Sequence, residues 1–405
     1  DAGLMFPEDE MFGIDIVIPD FSYLVENKHR IRGIFLSHGH EDHTGAIAYI
    51  LKNITVPVYG TKLTLALTKV KLKEHGLSME IDFREVKENT RLKFEHANIS
   101  FFHVNHSIPD SVGICIETKH GHIVYTGDFK FDQSADPLYR AHISKMAKIG
   151  DRGVLCLLSD STESEKEGYT PSEITIAKEL DDVFKRAKGR IIFACYASQI
   201  NAIQRLINVA HHSERKVAII GRTLQNVFQV ATKHGYIKVQ EDLIIPAGKL
   251  NEYAEDEVVI LMTGHQGEPL EALQNMVKKP YNQIQIQKGD TVIIAASPHR
   301  GGEKFLIRTV DMLYRAGANV ISGKRVHVSG HGRREELKLM INLMKPKFFI
   351  PIHGEYKMLV SHAQIAEHMG IPKENIFIPG KGDVVEITEQ KIRGNGRVTA
   401  GNILI

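Results

Sequence analysis

His38, His40, Asp42 and His43, each able to ligate a metal ion, fall within six residues of this chain, in the run IRGIFLSHGHEDHTGAIAYI. His38 and His40 are two apart, so an extended loop points both to one side. Asp42 and His43 are adjacent where the chain turns into a helix, and they address a second position a few ångströms away. Imidazole and carboxylate are ligands of zinc and related divalent ions, and four such groups this close crowd a single ion. The spacing therefore predicts two metals. The competing reading is a polar loop that happens to be rich in histidine. With 21 His in 405 residues, chance produces this pattern in only about a few chains per thousand. Divalent ions lower the pKa of water from 15.7 toward about 7, so the chemistry expected is hydrolysis by a two-metal hydroxide mechanism.

A loop of this kind needs a buried strand before it and a helix after it. IRGIFLS, NISFFHV, HIVYTGD and VLCLLSD read as buried strands, and the stretches after His43 and after Thr61 read as helices. Near Tyr169 the pattern changes. Thr170-Pro171-Ser172-Glu173 offers an N-cap, a proline at the first helical position and an acid near the third, which predicts an amphipathic helix to about Lys188. From about residue 189 strands and helices alternate: RIIFA, KVAIIG, VVILMTG and TVIIAAS are each followed by a helix, beginning at Gln199, Leu224, Pro269 and Glu303. Strands joined by helices predict a parallel sheet covered on both faces. After VHVSGHG come a helix over 334–344, the strand KFFIPI, a helix from Glu355 and a β-rich tail, which resume the mixture of short strands and helices found before Tyr169. The α/β unit is therefore expected to be inserted into the first domain.

Composition, with 42% hydrophobic and 25% charged residues, is that of a globular protein and suggests neither disorder nor an all-helical coiled coil. No apolar run approaches the roughly 20 residues of a membrane helix. A net charge of +2 gives no field that would attract nucleic acid to the whole molecule, so any basic groove must be local. Cys115, Cys156 and Cys195 lie in apolar runs without metal-ligand spacing, as expected of reduced, packed thiols in a cytoplasmic protein. Asp1 follows no initiator methionine and AGNILI stops on an apolar run. These ends predict a fragment or processed product that lacks a strand before Asp1.

The pattern at residues 38–43 resembles the signature of the metallo-β-lactamase superfamily. That resemblance implies further ligands: His106 in FFHVNHSIPDSVGI, favoured over the competing His103 by the sequence His-Ser-Ile-Pro-Asp, and Asp128 in HIVYTGDFKFD. Asp160 in LLSDSTES, His331 in VSGHGRREE and His353 in FFIPIHGEYKM resemble motifs A, B and C of the β-CASP group, nucleic-acid hydrolases that interrupt the metallo-β-lactamase fold with an inserted domain. Together with DAGLMFPEDEMFGIDIVIPD and the segment from Thr263 to Pro269, they make nearly the whole chain similar to ribonuclease J.

The fold so implied is α/β, a metallo-β-lactamase αββα sandwich over residues 1–168 and 326–405, interrupted by a three-layer α/β β-CASP domain over 169–325. Carried over residue by residue, the resemblance puts His38, His40 and His106 on one metal, Asp42, His43 and His353 on the other, and Asp128 between them. Asp1 and Asp160 would orient ligand imidazoles from behind. His331 would face the scissile phosphate, making Asp42, His331 and Asp160 the catalytic set. Two divalent ions per subunit are expected, zinc first because imidazole dominates, with manganese as the alternative that hard carboxylates accept.

The same resemblance implies single-stranded RNA as substrate, 5′-phosphate and 3′-hydroxyl products, and both 5′-to-3′ exonuclease and endonuclease action in rRNA processing and mRNA decay. It implies a homodimer or homotetramer of the full-length protein, able to join a paralogous subunit and other RNA-decay proteins. Three Gly-rich turns are candidates to offer backbone N–H groups to phosphate: Ser329, Gly330, His331 and Gly332; Gly264, His265, Gln266 and Gly267; and Ser297 to Gly302. The rivals are an endoribonuclease of the mRNA 3′-end-processing type, a DNA-repair nuclease, a small-molecule hydrolase and an inactive scaffold subunit. The inserted domain argues against the small-molecule enzyme, and the presence of all seven ligand-type residues argues against the scaffold.

Overall fold

The strand Asn98–His103 builds two cores at once. Ile99 and Phe101 face one way and meet Val112, Ile114, Tyr59 and Phe35. Phe102 faces the other way and packs among Val124, Met146, Leu337 and Met340. Side chains alternate across a strand, so a sheet that is apolar on both faces must be covered on both. In the computed structural model one face is covered by a second sheet, of parallel strands Ile34–Phe35, Val58–Gly60 and Phe83–Glu85. The other face is covered by helices Ile143–Asp151, Arg334–Met344 and Tyr356–His368. Helices Ile47–Leu51 and Lys62–Glu74 close the outer face of the three-stranded sheet through Ile47, Leu51, Leu65 and Leu72. The layers run helix, sheet, sheet, helix, the αββα architecture that the resemblance implies.

The structure describes residues 1–7, 11, 13–77, 80–264, 269–279, 284–296 and 302–405. They form two compact units, one of Asp1–Met5, Ile16–Pro171 and Ser329–Ile405, the other of Phe6–Asp15 and Ser172–Val328. The first unit's larger sheet runs Phe348–Ile352, Val154–Asp160, Gly121–Tyr125, Val112–Thr118, Asn98–His103 and Arg91–Lys93. Its first three strands are parallel, and Ile352 pairs with Asp160. The chain thus leaves the sheet after residue 160 and returns nearly two hundred residues later to the adjacent position.

The second unit is a sheet of six parallel strands, ordered Ile244–Ile245, Lys216–Ile220, Val258–Met262, Ile191–Ala194, Thr291–Ile294 and Asn319–Ser322. Ile192, Ala194, Ile260 and Ile294 pack on Leu270, Leu273, Met276 and Leu313 of helices Pro269–Lys278 and Glu303–Arg315. Ile191, Phe193, Val259 and Leu261, pointing the other way, are equally buried. Both faces are covered, the arrangement in which continuous apolar runs such as VVILM are stable strands.

Two local expectations are corrected. The N-cap of helix Glu173–Arg186 is Ser172, whose side chain accepts the Ile174 N–H, and not Thr170. The Thr170 hydroxyl donates instead to the His331 carbonyl at 2.7 Å, a tertiary bond that local pattern cannot show. The strand read in IRGIFLS is only Ile34–Phe35; Leu36 still donates to the Tyr59 carbonyl, and the Ser37 N–H, on the opposite side, donates to the Asp1 carboxylate at 2.7 Å. No described helix is long and apolar enough to cross a membrane.

Candidate metal centre

The parallel strands of the first unit bring their C-terminal ends to one edge. Asp160 ends its strand, His353 follows Ile352 on the neighbouring one, and Asp128 lies three residues beyond Tyr125. Gly127 makes that last turn at φ 61°, with Ser37 Cβ and the Val112 carbonyl each 3.1 Å from where a Cβ would stand, so only glycine fits without strain. His353 also sits at positive φ, 55°, uncommon for a residue with a side chain. Its carbonyl accepts from the Ser161 N–H at 3.3 Å and the Thr162 hydroxyl at 3.2 Å, which hold it there. The loop from Ser37 to His40 and the short helix Glu41–Thr44 supply the remainder.

Three imidazoles converge first. His40 Nδ1 lies 3.1 Å from His38 Nε2 and 3.0 Å from His106 Nε2, and Asp128 Oδ2 stands 3.7 Å from each of the latter two nitrogens. The same Asp128 Oδ2 is 3.1 Å from His43 Nε2 and 3.7 Å from His353 Nε2, while Asp42 Oδ2 is 3.8 Å from His43 Nε2 and 3.6 Å from His353 Nε2. Donors about 2.0–2.1 Å from a tetrahedral zinc lie roughly 3.3 Å from one another, so both sets have the separation a divalent ion requires. The donor atoms of His38, His40 and His106 all lie within 4.8 Å of one another, as do those of Asp42, His43, Asp128 and His353.

Polar accounting agrees. Asp128 Oδ1 and His40 Nε2 are buried without a hydrogen-bond partner, and Asp128 is 1% exposed. A buried carboxylate with an unpaired oxygen, ringed by imidazoles, calls for a cation. The far nitrogens are fixed from outside. His43 Nδ1 is 2.9 Å from Asp1 Oδ2, His106 Nδ1 is 2.8 Å from the Gly330 carbonyl, and His38 Nδ1 is 3.0 Å from Ser37 Oγ. An Nδ1–H donated outward leaves the Nε2 lone pair aimed inward, the arrangement by which metal sites orient their histidines.

The electrostatics of these side chains follow the same lines. Burial and the neighbouring imidazoles hold His38 and His106 well below the ordinary histidine value. Burial takes His40 down to about 4, so these three present lone pairs at neutral pH. Burial would raise Asp128, but the imidazoles of His353 and His43 keep it well below the usual carboxylate range. Burial would likewise depress His331, yet the charges of Asp160 and Asp128 raise it to about 9.

His331 Nδ1 donates to Asp160 Oδ2 at 2.7 Å, and its Nε2 is 4.0 Å from Asp128 Oδ2. Asp128, Asp160, His331 and His353 would also be close enough to hold an ion. Asp160, however, accepts from Thr162 N–H at 3.0 Å, the Thr162 hydroxyl at 2.7 Å, Phe129 N–H at 3.4 Å and His331, which occupies its lone pairs. Its geometry is that of a group orienting His331.

All ten sequence-derived residues of this centre, Asp1, His38, His40, Asp42, His43, His106, Asp128, Asp160, His331 and His353, therefore meet in one unit. His103 does not join them, and its ring packs against His142 at 5.1 Å between centroids. In the turn at Ser329, Gly330, His331 and Gly332, two N–H groups are already engaged, His331 to Ser329 Oγ at 3.2 Å and Gly332 to the Phe129 carbonyl at 2.6 Å. Those two N–H groups are therefore not free to meet a phosphate. In the other two Gly-rich turns, residues 265–267 and 297–301 lie outside the described residues. Sequence reasoning missed Ser37, Tyr125, Lys130 and Glu336. Tyr125 donates to Asp1, and Lys130 and Glu336 are buried charges contacting the His331 loop and its neighbours. Ser37 could have been found from its place beside His38, whereas nothing local marks the others.

An αββα unit carrying two His/Asp donor sets at one end of its larger sheet, with a parallel α/β unit inserted, defines a metallo-hydrolase of the metallo-β-lactamase and β-CASP type. Comparison with known proteins agrees: residues 13–165 match the metallo-β-lactamase superfamily, 188–313 the ribonuclease J β-CASP domain, and 322–379 the Zn-dependent metallo-hydrolase RNA specificity domain. The chain is 50% identical to ribonuclease J2 of Bacillus subtilis (strain 168), the alignment covering 100% of this chain and 73% of that protein. It is 47% identical to ribonuclease J 2 of Staphylococcus aureus (strain NCTC 8325 / PS 47), with the same coverage of 100% and 73%. The chain belongs to the ribonuclease J family. A protein of unknown function from Enterococcus faecalis V583 shares the fold, with a TM-score of 0.60 at 17% identity over 92% of this chain and 81% of that one.

Proposed function

We propose that this protein hydrolyses single-stranded RNA at a centre of two divalent ions, zinc in the first instance, acting as a 5′-to-3′ exonuclease and an endonuclease in RNA processing and mRNA decay. The observation that carries the reading is the pair of donor sets, with Asp128 Oδ2 in one and 3.7 Å from His38 Nε2 and His106 Nε2 of the other, beside the His331–Asp160 pair. His38, His40 and His106 would hold one ion, Asp42, His43 and His353 the other, with Asp128 between. When bound, the ions supply Lewis acidity, bringing the pKa of water from 15.7 toward about 7 and offsetting charge on phosphate oxygens.

The chain's own groups do the rest. Asp42, with a side chain 47% exposed, accepts a hydrogen bond from incoming water. As the oxygen–phosphorus bond forms and the bond to the 3′ oxygen breaks, protonated His331 offsets charge on the phosphate and gives its Nε2 proton to the departing oxygen. Asp160, on the opposite ring nitrogen, fixes the imidazole and stabilises its charged form. The products are a 5′-phosphate and a 3′-hydroxyl. We read residues 1–168 and 326–405 as the metallo-β-lactamase domain and 169–325 as the inserted β-CASP domain. The full-length protein would work in the cytoplasm as a homodimer or homotetramer, alone or with a paralogous subunit and other RNA-decay proteins.

The test is cleavage of one labelled RNA carrying either a 5′-monophosphate or a 5′-triphosphate, by wild type and His40→Ala, after metal analysis of each. Release of mononucleotides from the monophosphate end, abolished in the variant, is expected. Internal cuts alone would leave only the endonuclease, and a metal-loaded protein that cleaves neither RNA would refute the proposal.

A further inference from the structure

Glu336 is a fully buried carboxylate, 0% exposed, on the first turn of helix Arg334–Met344. A glutamate at this helix position ordinarily reaches back to cap its own N-terminus, and Oε2 does accept the Arg333 N–H at 2.9 Å. Two further donors come from distant segments. Oε2 also accepts the Thr170 N–H at 2.7 Å, and Oε1 accepts the Phe131 N–H at 2.7 Å. Thr170 lies just before the chain leaves the first unit after Pro171, and Arg333 just after it returns at Ser329.

Both distant segments in turn grip the loop that carries His331. The Thr170 hydroxyl donates to the His331 carbonyl at 2.7 Å. Phe129, two residues before Phe131, accepts the Gly332 N–H at 2.6 Å. Between them, Lys130 Nζ donates to the Ser329 carbonyl at 3.1 Å. The backbone around His331 is held on both sides by groups that Glu336 fixes, and the three hydrogen bonds of the carboxylate go to Phe131, Thr170 and Arg333, none of them a member of the metal centre.

We propose that Glu336 is a positioning residue for phosphodiester cleavage, holding the backbone of His331 at the distance from the metal centre that its imidazole needs. This rests on the role of His331 proposed above. Burying a carboxylate is costly unless charge-assisted hydrogen bonds compensate, and a cap alone would use one N–H. Three N–H groups drawn from three segments suit a joint that sets the geometry of the loop between them.

The experiment measures kcat and KM on a 5′-monophosphorylated single-stranded RNA, with metal content, for the metal-loaded full-length protein. The variants are Glu336→Gln, Thr170→Val, His331→Ala and the two doubles with His331→Ala. Glu336→Gln leaves one oxygen where two are needed, and we expect kcat to fall about 10- to 100-fold with KM within about threefold and metal content unchanged. Thr170→Val, a milder change that removes only the hydroxyl bond, should lower kcat by roughly three- to tenfold and carries the test should Glu336→Gln not fold. Neither change should further lower the residual rate of His331→Ala, because groups acting through one residue are not additive. Losses that multiply in the doubles, a wild-type kcat in both single variants, or loss of metal would overturn the proposal. A wild-type kcat in His331→Ala would instead overturn the reading of His331, and this inference with it.

Discussion

Replacing Gly3 by alanine should disable the metal centre although Gly3 is no ligand. A Cβ there would stand 1.6 Å from the Asp42 carbonyl oxygen, 2.2 Å from its carbon and 2.9 Å from the His43 nitrogen. These are backbone atoms and cannot rotate away, so the segment of residues 1–4 and the helix Glu41–Thr44 must part by roughly 1.4 Å to reach even a tight contact. Three backbone hydrogen bonds span that gap: Ala2 N–H to His43, Leu4 N–H to Glu41, and Ala46 N–H to Ala2, at 2.7, 3.1 and 2.8 Å. At about 1 kcal/mol each their loss costs on the order of 3 kcal/mol, or roughly 6–12 °C in the midpoint of a unit this size. The same shift draws the Asp1 carboxylate away from His43 Nδ1 and Ser37. Metal sites tolerate only about ±0.2 Å, and loss of such an outer partner weakens binding about 10- to 100-fold. Metal content after gel filtration and thermal unfolding with and without chelator measure both effects. Gly248→Ala, which meets nothing within 4 Å, is the control. A Gly3→Ala protein with full metal content and an unchanged midpoint would refute the argument.

Asp160→Asn should lower kcat about 10- to 100-fold with metal content intact; loss of metal would show that Asp160 is a ligand after all. His362 is fully buried, with Nδ1 2.9 Å from Ser161 Oγ and its ring 4.8 Å from that of Phe349, and burial depresses its pKa to about 3. The fold keeps it neutral while the unfolded chain titrates near 6.5, so between pH 6.5 and about 3 the unfolded state binds the extra proton and stability falls with pH. At pH 5 the loss is about 2 kcal/mol relative to pH 8. Urea unfolding of chelator-treated protein should show His362→Gln removing that much of the difference, and an unaltered pH dependence would contradict the assignment. Ser172→Ala should destabilise helix Glu173–Arg186 by about 1 kcal/mol, read as a lower denaturant midpoint, and an unchanged midpoint would place the cap elsewhere.

What the chain determines locally, it determines well. The run 334–344 is helical because its apolar residues recur at helical spacing, and the structure gives Arg334–Met344. The alternation of strand and helix after residue 189 was enough for a parallel α/β unit, because helices that cross over a sheet must be matched by buried, continuously apolar strands. His38, His40, Asp42 and His43 stood out because neighbours in sequence share one loop. The remaining members of the centre are spread from Asp1 to His353, and their identification depended on likeness to a family. Their convergence is a property of the sheet: the pairing of Ile352 with Asp160 carries His353 to the edge where Asp128 and Asp160 already lie. Strand register is written in hydrogen bonds between segments far apart in the chain, which no window of sequence contains. Thr170 read locally as a cap and became a tether for His331, and Glu336, which no local pattern singles out, proved to be a buried acceptor of the Thr170 N–H. A polar side chain's burial depends on what packs over it, and only the tertiary structure supplies that neighbour.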